Sequence, residues 1–193
     1  MPKRAAILHG TSGDPSKDGW QKALKNELEA SDYEVFFPQL PNSRRSDIAA
    51  YDRFLRASGW DFSDNIVFGH SSGSTALLHL LGQDWFPKIR CAVLVGTFLN
   101  EKKLTGVDWY EPGQFDALFV ETFEPRNLKK KADSFYFVHG DDDPYCDYDE
   151  AREFCEKLGG TFITVPGGGH LSSSTRGTGL SEMTRVLKAE KVL

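Results

Sequence analysis

Residues 69–73 read Gly-His-Ser-Ser-Gly, the pattern of a serine nucleophile carried on a sharp turn. In a G-x-S-x-G run the serine lies between a strand and a helix, and strained backbone geometry lifts its hydroxyl clear of the sheet. Only glycine or another very small residue fits beside it, because the turn crowds its neighbours. The following helix directs free N–H groups and positive partial charge at an oxyanion on the substrate. The pattern therefore predicts acyl chemistry at Ser71.

A serine hydroxyl is a weak nucleophile at neutral pH, so it needs a general base that is itself oriented by an acid. In folds that carry this turn, the chain order is serine, then Asp or Glu, then histidine. His170 follows a run of three glycines after the last apolar strand, which predicts it as the base. A run of adjacent aspartates, such as the three at 141–143, ordinarily forms a solvated turn. Asp143 is preferred as the acid because Pro144 fixes the turn after it, and Asp142 is the alternative.

The other histidines fit structural roles. His9 and His139 precede glycines at predicted strand ends, which is typical of turns. His70 lies inside the Gly-His-Ser-Ser-Gly run, and His79 falls in the middle of a predicted helix. We therefore expect none of these four to be the base.

An oxyanion hole needs two N–H donors aimed at the carbonyl oxygen as it becomes negative. The amide of Ser72, directly after the nucleophile, is predicted as the first donor. The second should come from the loop after the first strand, which reads His-Gly-Thr-Ser-Gly at 9–13. Thr11 is the preferred second donor and Gly10 the next choice, although a flexible glycine-containing loop would have the same sequence.

Short apolar runs alternate with amphipathic segments, and these elements must position the site. Apolar strands separated by helices predict a parallel sheet covered on both faces. We expect a doubly wound, mostly parallel six-stranded α/β sheet in one domain spanning 1–193, and Asp18 is a plausible N-cap of the first helix. The predicted strands lie near 5–9, 34–37, 65–68, 92–95, 135–138 and 161–164, and the predicted helices near 20–28, 47–57, 74–81, 149–158 and 179–189.

The connection between the fourth and fifth strands, about thirty-five residues, is longer than a usual loop and rich in aromatic residues. Residues 98–125 could form a crossover helix with a core face. Alternatively, part of this segment forms an aromatic wall or small cap over a pocket. On the second interpretation, Phe98, Trp109 and Phe119 are candidate pocket residues.

Charge and composition narrow the possible partners. The net charge is −5, so we expect neither a nucleic acid nor an anionic membrane as a partner. The short basic runs at 44–45 and 129–131 are interpreted as solvated surface. The apolar run 5–8 is far too short for a signal peptide or a membrane span, and the three cysteines suit a reducing compartment, so a cytoplasmic location is expected. No metal-ligand spacing occurs, so neither a metal nor an organic cofactor is expected.

Over nearly its whole length the chain resembles the retinoblastoma-binding protein nine (YdeN-like) family of small serine hydrolases, within the α/β-hydrolase superfamily. The resemblance includes the Gly-Trp step at 19–20, the Gly-His-Ser-Ser-Gly run, Asp-Pro-Tyr at 143–145 and Gly-Gly-His at 168–170. It implies a compact α/β-hydrolase fold without a large lid and the strand order 2-1-3-4-5-6. It also implies a catalytic triad of Ser71, Asp143 and His170, in agreement with the assignment from chain order.

The chain departs from the family in two places. The retinoblastoma-binding motif L-x-C-x-E of the human member has no counterpart, since the equivalent stretch at 58–62 reads Ser-Gly-Trp-Asp-Phe. A retinoblastoma-type partner is therefore not expected. Cys146 stands where valine commonly follows Asp-Pro-Tyr, and Asp147 stands where proline is common, which affects the local shape of the loop.

The leading hypothesis is hydrolysis of a small acyl ester through an acyl-enzyme on Ser71, with a small-molecule acyl substrate as the partner. A protein-binding module with an unused hydrolase site is an alternative from another class, because fold alone does not establish function. Peptidase or acyl-transferase chemistry on the same triad is a third possibility.

Overall fold

Six parallel strands form one sheet in the computed structural model, which describes residues 2–17, 19–119, 123–172 and 178–193, with side chains from 181 onward in the last range. The strand order β2-β1-β3-β4-β5-β6 confirms both the predicted fold class and the order implied by the family resemblance. Every neighbouring pair is parallel. The strands are β1 (Lys3–Leu8), β2 (Tyr33–Phe36), β3 (Ile66–His70), β4 (Ile89–Val95), β5 (Ala132–Gly140) and β6 (Thr161–Val165).

Helices cover both faces of the sheet. The described helices are α1 (Trp20–Glu29), α2 (Ile48–Ala57), α3 (Ser72–Gly82), α4 (Pro125–Leu128), α5 (Tyr148–Leu158) and α6 (Thr178–Ala189). Helices α1 and α6 pack on one face, and α2 to α5 pack on the other. The predicted N-cap of α1, Asp18, lies outside the described residues. Within the parts of the chain that the structure covers, no helix has both the length and the apolar character needed to cross a membrane.

Side chains of the central strands alternate between the two apolar layers, as a parallel sheet requires. In β1, Ala5 and Ile7 join the layer under α1 and α6, whereas Ala6 and Leu8 join the layer under α2 and α3. Helix α3 is itself buried from Ser72 to Leu81. The turn between β3 and α3 is therefore held between two buried elements.

Capping residues fix where two helices of the α2–α5 layer begin. The Asp47 carboxylate accepts the N–H of Ala50 at the start of α2, and Asp147 accepts the N–H of Glu150 at the start of α5. Such caps contribute about 1 kcal/mol each by binding an amide that has no intrahelical acceptor. The departure from the family at position 147 is thus accommodated as a helix cap.

The segment after β4 forms an aromatic cluster of its own. Its described part, up to residue 119, contains a single 3-10 turn at Lys102–Leu104 and no longer helix. Buried residues of this cluster are Phe98, Leu104, Phe115, Leu118 and, from the loop after β5, Cys146. This arrangement favours the aromatic wall over the crossover helix.

Candidate active site

The turn between β3 and α3 holds Ser71 in a backbone conformation that serine seldom adopts. Its φ is 53° and its ψ is −125°, and such a positive φ costs a non-glycine residue about 1–3 kcal/mol. Glycine is required on both sides. A Cβ at Gly69 would lie 2.6 Å from the carbonyl oxygen of Gly73, and a Cβ at Gly73 would lie 2.6 Å from the carbonyl oxygen of His9. These are the steric demands of a nucleophile elbow.

His170 links Ser71 to Asp143 through two hydrogen bonds. Its Nε2 lies 2.9 Å from Ser71 Oγ, and its Nδ1 lies 2.9 Å from Asp143 Oδ2. Since a carboxylate only accepts, Nδ1 carries the ring proton, and Nε2 is left to accept the proton of the serine hydroxyl. The Asp143 side chain is 0% exposed and that of His170 is 12% exposed, so little water competes for these bonds. The structure thus brings the three predicted residues into one relay.

Asp143 stays ionised although it is buried. Burial raises its pKa, but the hydrogen bond and charge of His170 and the N–H groups of Tyr145 and Cys146 together lower the pKa below its ordinary value. Both amides donate to Asp143 Oδ1, at 2.9 and 3.0 Å. The two amides therefore hold the carboxylate through Oδ1, and Oδ2 is directed at the imidazole.

The two aspartates before it anchor the loop that carries His170. Asp141 Oδ1 accepts the N–H of Gly167 at 2.8 Å, and Asp142 Oδ1 accepts the N–H of Gly169 at 2.6 Å. Among the residues that the structure describes, the carboxylate that bonds to the imidazole of His170 is that of Asp143. The run of aspartates is therefore not simply a solvated turn, because each carboxylate has a separate structural partner.

The predicted oxyanion donors meet beside Ser71. Ser72 is the first residue of α3, so its amide has no acceptor within the helix. Thr11 Oγ1 donates to Ser72 Oγ at 3.0 Å, which holds the loop after β1 against the start of α3. A Cβ at Gly10 would lie 2.9 Å from Ser71 Cβ, so this backbone approaches the serine closely. The loop with Thr11 and Gly10 thus borders Ser71, and the choice between their amides as the second donor stays a prediction.

A cavity of about 580 Å³ opens onto Ser71 and His170. One side of it, which we call the apolar wall, is formed by Phe98, Leu104, Trp109, Phe115 and Tyr145. The ring of Trp109 packs edge-on against Tyr145 at 5.3 Å, and Tyr145 packs edge-on against His170 at 5.1 Å. The wall therefore continues to the imidazole itself.

Two of the three predicted pocket residues line this cavity and the third does not. Phe98 and Trp109 are lining residues, whereas Phe119 is not among them. Phe119 instead packs against Phe98, with 4.9 Å between the ring centroids, and supports it from the core side. Composition could not separate these positions, because an aromatic residue suits a cavity wall and the layer behind it equally well.

The sequence of the chain also points to a serine hydrolase. It matches the model of the serine hydrolase family over residues 5–189. It belongs to the serine hydrolase family. It is a hydrolytic enzyme with the α/β-hydrolase fold. No curated protein sequence matches it.

Solved structures share the fold of this serine hydrolase at low sequence identity. The ydeN gene product from B. subtilis is similar with a TM-score of 0.85 at 18% identity, over 99% of this chain and 100% of that chain. Est1E from Butyrivibrio proteoclasticus gives 0.71 at 15% identity, over 99% and 87%. A YdeN-like hydrolase from Pectobacterium atrosepticum gives 0.61 at 16% identity, over 98% and 92%.

Three buried histidines surround the relay of the serine hydrolase. Sequence reasoning interpreted His9 and His139 as turn residues, but both are fully buried. The N–H of Leu40 donates to His9 Nε2 at 2.9 Å, and the N–H of Thr97 donates to His139 Nε2 at 2.6 Å. His70 Nε2 is 3.1 Å from the carbonyl oxygen of His170 and holds that backbone in place. Their sequence positions at the ends of strands β1, β3 and β5, beside the loops that form the site, were the one indication of these buried roles.

The described residues contain one group of side chains with metal-ligand chemistry, namely Asp143, Cys146 and His170. Two of them already bond to each other through Asp143 Oδ2 and His170 Nδ1. Burial raises the pKa of the Cys146 thiol well above its usual value, so the thiol stays protonated, and its Sγ donates to the carbonyl oxygen of Gly96 at 3.3 Å. We therefore assign these atoms to hydrogen bonding.

The buried histidines should make the stability of the serine hydrolase sensitive to mild acid. Burial lowers the pKa of His139 to about 4 and that of His70 to about 3, from 6.5, and also lowers that of His9. Below pH 6.5 the unfolded chain therefore binds more protons than the folded one, so the free energy of unfolding falls as pH drops toward 4. The expected slope is about 1 kcal/mol per pH unit for each such histidine. Urea unfolding across this range measures it.

His139→Gln provides the comparison, because it removes one of these ionisable groups. Its free energy of unfolding should depend less steeply on pH than that of the native chain, even if it is lower at neutral pH. Equal slopes in the two proteins, or a free energy that is flat down to pH 4, would contradict the assignment of a neutral buried histidine at this position.

Proposed function

We propose that this serine hydrolase is a carboxylesterase-type enzyme that cleaves small acyl esters through an acyl-enzyme on Ser71. The observation that carries the proposal is the continuous relay from Ser71 Oγ through His170 to Asp143, with 2.9 Å at each link. A serine held at positive φ, hydrogen-bonded to an imidazole and facing a cavity, has the geometry of an activated nucleophile.

In the first half-reaction, Ser71 Oγ attacks the ester carbonyl carbon while its proton passes to His170 Nε2. Negative charge develops on the carbonyl oxygen, which accepts hydrogen bonds from the Ser72 amide and from the amide of Thr11 or Gly10. Asp143 stabilises the imidazolium that forms. The carbon–oxygen bond to the alcohol then breaks, and His170 returns the proton to the leaving alcohol.

In the second half-reaction, water takes the place of the alcohol. His170 Nε2 accepts a proton from this water as its oxygen attacks the acyl carbon, and the same donors receive the charge on the carbonyl oxygen. Collapse of the intermediate releases the carboxylic acid and returns the proton to Ser71 Oγ. Every proton that leaves an attacking oxygen is thus carried by one imidazole.

The apolar wall supports an acyl ester over a charged or strongly polar peptide as the substrate. Burial of each methylene of the acyl chain against Phe98, Trp109 and their neighbours contributes up to about 0.8 kcal/mol, or roughly fourfold in kcat/KM. The cavity volume of about 580 Å³ accommodates chains longer than acetyl. We therefore expect kcat/KM to rise with acyl length before the cavity is filled.

A series of para-nitrophenyl esters from acetyl to octanoyl tests the proposal, with intact-mass detection of the acyl-enzyme. We expect a burst of nitrophenol, an acyl adduct on Ser71 and a higher kcat/KM for medium chains than for acetyl. A parallel series of para-nitroanilides separates ester from amide cleavage. If no ester is turned over and no adduct forms on Ser71, the esterase proposal is wrong and the protein-binding alternative is favoured.

We further propose that the enzyme acts in the cytoplasm on a small molecule. Its three cysteines, Cys91, Cys146 and Cys155, are all free and buried. Burial raises the pKa of Cys91 and of Cys155 to about 12, so these thiols stay protonated and unreactive. Free thiols of this kind suit a reducing compartment.

A further inference from the structure

Trp20 bonds to the backbone that carries the predicted base, although it lies far from that base in the chain. Its indole Nε1 donates to the carbonyl oxygen of Leu171 at 2.8 Å, across 151 positions of sequence. Leu171 directly follows His170, and Trp20 is the first residue of α1. Buried Leu24 and Leu28 pack α1 against the sheet, so the indole extends from a fixed element.

The backbone at Leu171 has a conformation that needs such support. Its φ is 49°, in the left-handed region that residues with a Cβ seldom adopt. Strained positions of this kind persist where the surrounding structure fixes them. The Leu171 side chain is buried in the layer under α1 and α6, and its N–H donates to the carbonyl oxygen of Gly168 at 3.2 Å. With the bond from Trp20, both polar groups of the Leu171 backbone are hydrogen-bonded.

A second donor binds the preceding carbonyl. His70 Nε2 lies 3.1 Å from the carbonyl oxygen of His170, so Nε2 carries a ring proton and donates it. The rings of Trp20 and His70 pack edge to face, with 5.5 Å between their centroids. Two neighbouring side chains thus bind two consecutive carbonyls of the loop that carries His170.

These bonds complement the ones made by the acidic loop. The first two aspartates of the 141–143 run bind amides before His170 and tie it to the loop of the acid. Trp20 and His70 bind carbonyls at and after His170, and His70 directly precedes Ser71. The first set therefore fixes the base relative to the acid, and the second set fixes the base relative to the nucleophile.

We propose that Trp20 is a positioning residue for the base: its indole N–H fixes the backbone after His170 and so sets the distance from His170 Nε2 to Ser71 Oγ. This inference rests on the proposed function, because it concerns the same proton transfers. Loss of the N–H releases the Leu171 carbonyl oxygen and lets the backbone leave the left-handed region. The imidazole then shifts with its loop, away from the serine hydroxyl. A misplacement of about 1 Å that originates far from the reacting atoms can slow a reaction about a hundredfold.

Two replacements of Trp20 remove the N–H with little change in shape. Trp20→Phe keeps an aromatic ring, and benzothienylalanine incorporated at position 20 replaces only the N–H by sulfur. Trp60→Phe is the matched control, because Trp60 Nε1 donates to Asn65 Oδ1 at 2.9 Å and its ring packs against the apolar layer on the other face of the sheet. Since both phenylalanine variants lose one indole hydrogen bond, their Tm values show the general loss of stability.

Hydrolysis of preformed acyl-enzymes separates positioning of the base from contact with the substrate. Trp20 also lines the cavity, so kcat/KM alone does not separate the two roles. In deacylation the alcohol has left, and the attack of water depends on the same base. With acetyl and octanoyl acyl-enzymes, both replacements of Trp20 should slow deacylation about ten- to thirtyfold, by the same factor for the two acyl groups. Trp60→Phe should stay within about twofold of the native rate.

A crystal structure of Trp20→Phe gives a readout that needs no turnover. The distance from His170 Nε2 to Ser71 Oγ should rise from 2.9 Å to beyond hydrogen-bond distance, whereas His170 Nδ1 stays bonded to Asp143. The inference is overturned if this distance and the φ of Leu171 are unchanged, if deacylation is slowed no more than in Trp60→Phe, or if the slowing depends on acyl length. Failure of the proposed function looks different, because the native enzyme would then form no acyl adduct on Ser71, and the crystal structure would still decide the role of Trp20.

Discussion

Replacement of Ser71 by alanine should lower kcat for ester hydrolysis by about 10⁴- to 10⁶-fold, because the attacking oxygen is removed while the base and the oxyanion donors remain. The fold should tolerate this change. The hydroxyl bonds to His170 Nε2, and alanine carries the same backbone strain as serine at a φ of 53°. We expect the free energy of unfolding to change by less than about 1 kcal/mol.

Ser72→Ala is the matched control in the same turn. Its hydroxyl accepts the hydrogen bond from Thr11, but its predicted oxyanion donor is the backbone amide, which alanine keeps. This variant should lose less than about tenfold in kcat, the cost of one loosened contact. Single-turnover kinetics with para-nitrophenyl esters measure both proteins. The nucleophile assignment fails if Ser71→Ala retains more than a few per cent of native activity, or if the two variants are equally impaired.

Asp143→Asn should reduce kcat by about 10⁴-fold without displacing the loop. An asparagine oxygen can still accept the N–H groups of Tyr145 and Cys146, as Oδ1 does now. The amide NH₂ would then replace Oδ2 and donate to His170 Nδ1. This exchange forces the ring proton to Nε2, where it faces Ser71, so the imidazole can no longer accept the hydroxyl proton.

Asp142→Asn tests which of the two candidate aspartates, Asp142 or Asp143, is the catalytic acid. Its Oδ1 accepts the N–H of Gly169, and an asparagine oxygen can do the same. We expect kcat within about tenfold of the native value, since the proton relay is untouched. The reverse ranking, with Asp142→Asn more impaired than Asp143→Asn, would show that the acid has been assigned to the wrong residue.

Much of this architecture could be read from the sequence because it depends on local rules. Apolar runs separated by amphipathic segments predicted the six strands, and the family resemblance supplied their order. The Gly-x-Ser-x-Gly spacing located the turn, since the steric limits at Gly69 and Gly73 leave few other residues possible. His170 was predictable because a histidine after three glycines at a strand end has few structural explanations.

Other features depended on contacts between segments that are distant in the chain. The hydrogen bonds from Asp141 and Asp142 to the glycine loop join residues 26 and 27 positions apart. A periodic pattern in the sequence does not predict contacts of this kind. The burial of His9 and His139 arises from packing across the sheet. For the same reason, the aromatic residues after β4 could not be sorted in advance into the cavity wall and the layer behind it.

The hydrogen bonds from Asp141 and Asp142 to the glycines before His170 tie together the two loops that supply the acid and the base. Asp143 and His170 therefore move as one rigid piece. A substitution that shifts this piece changes the distance from His170 to Ser71 before it changes the distance from His170 to Asp143.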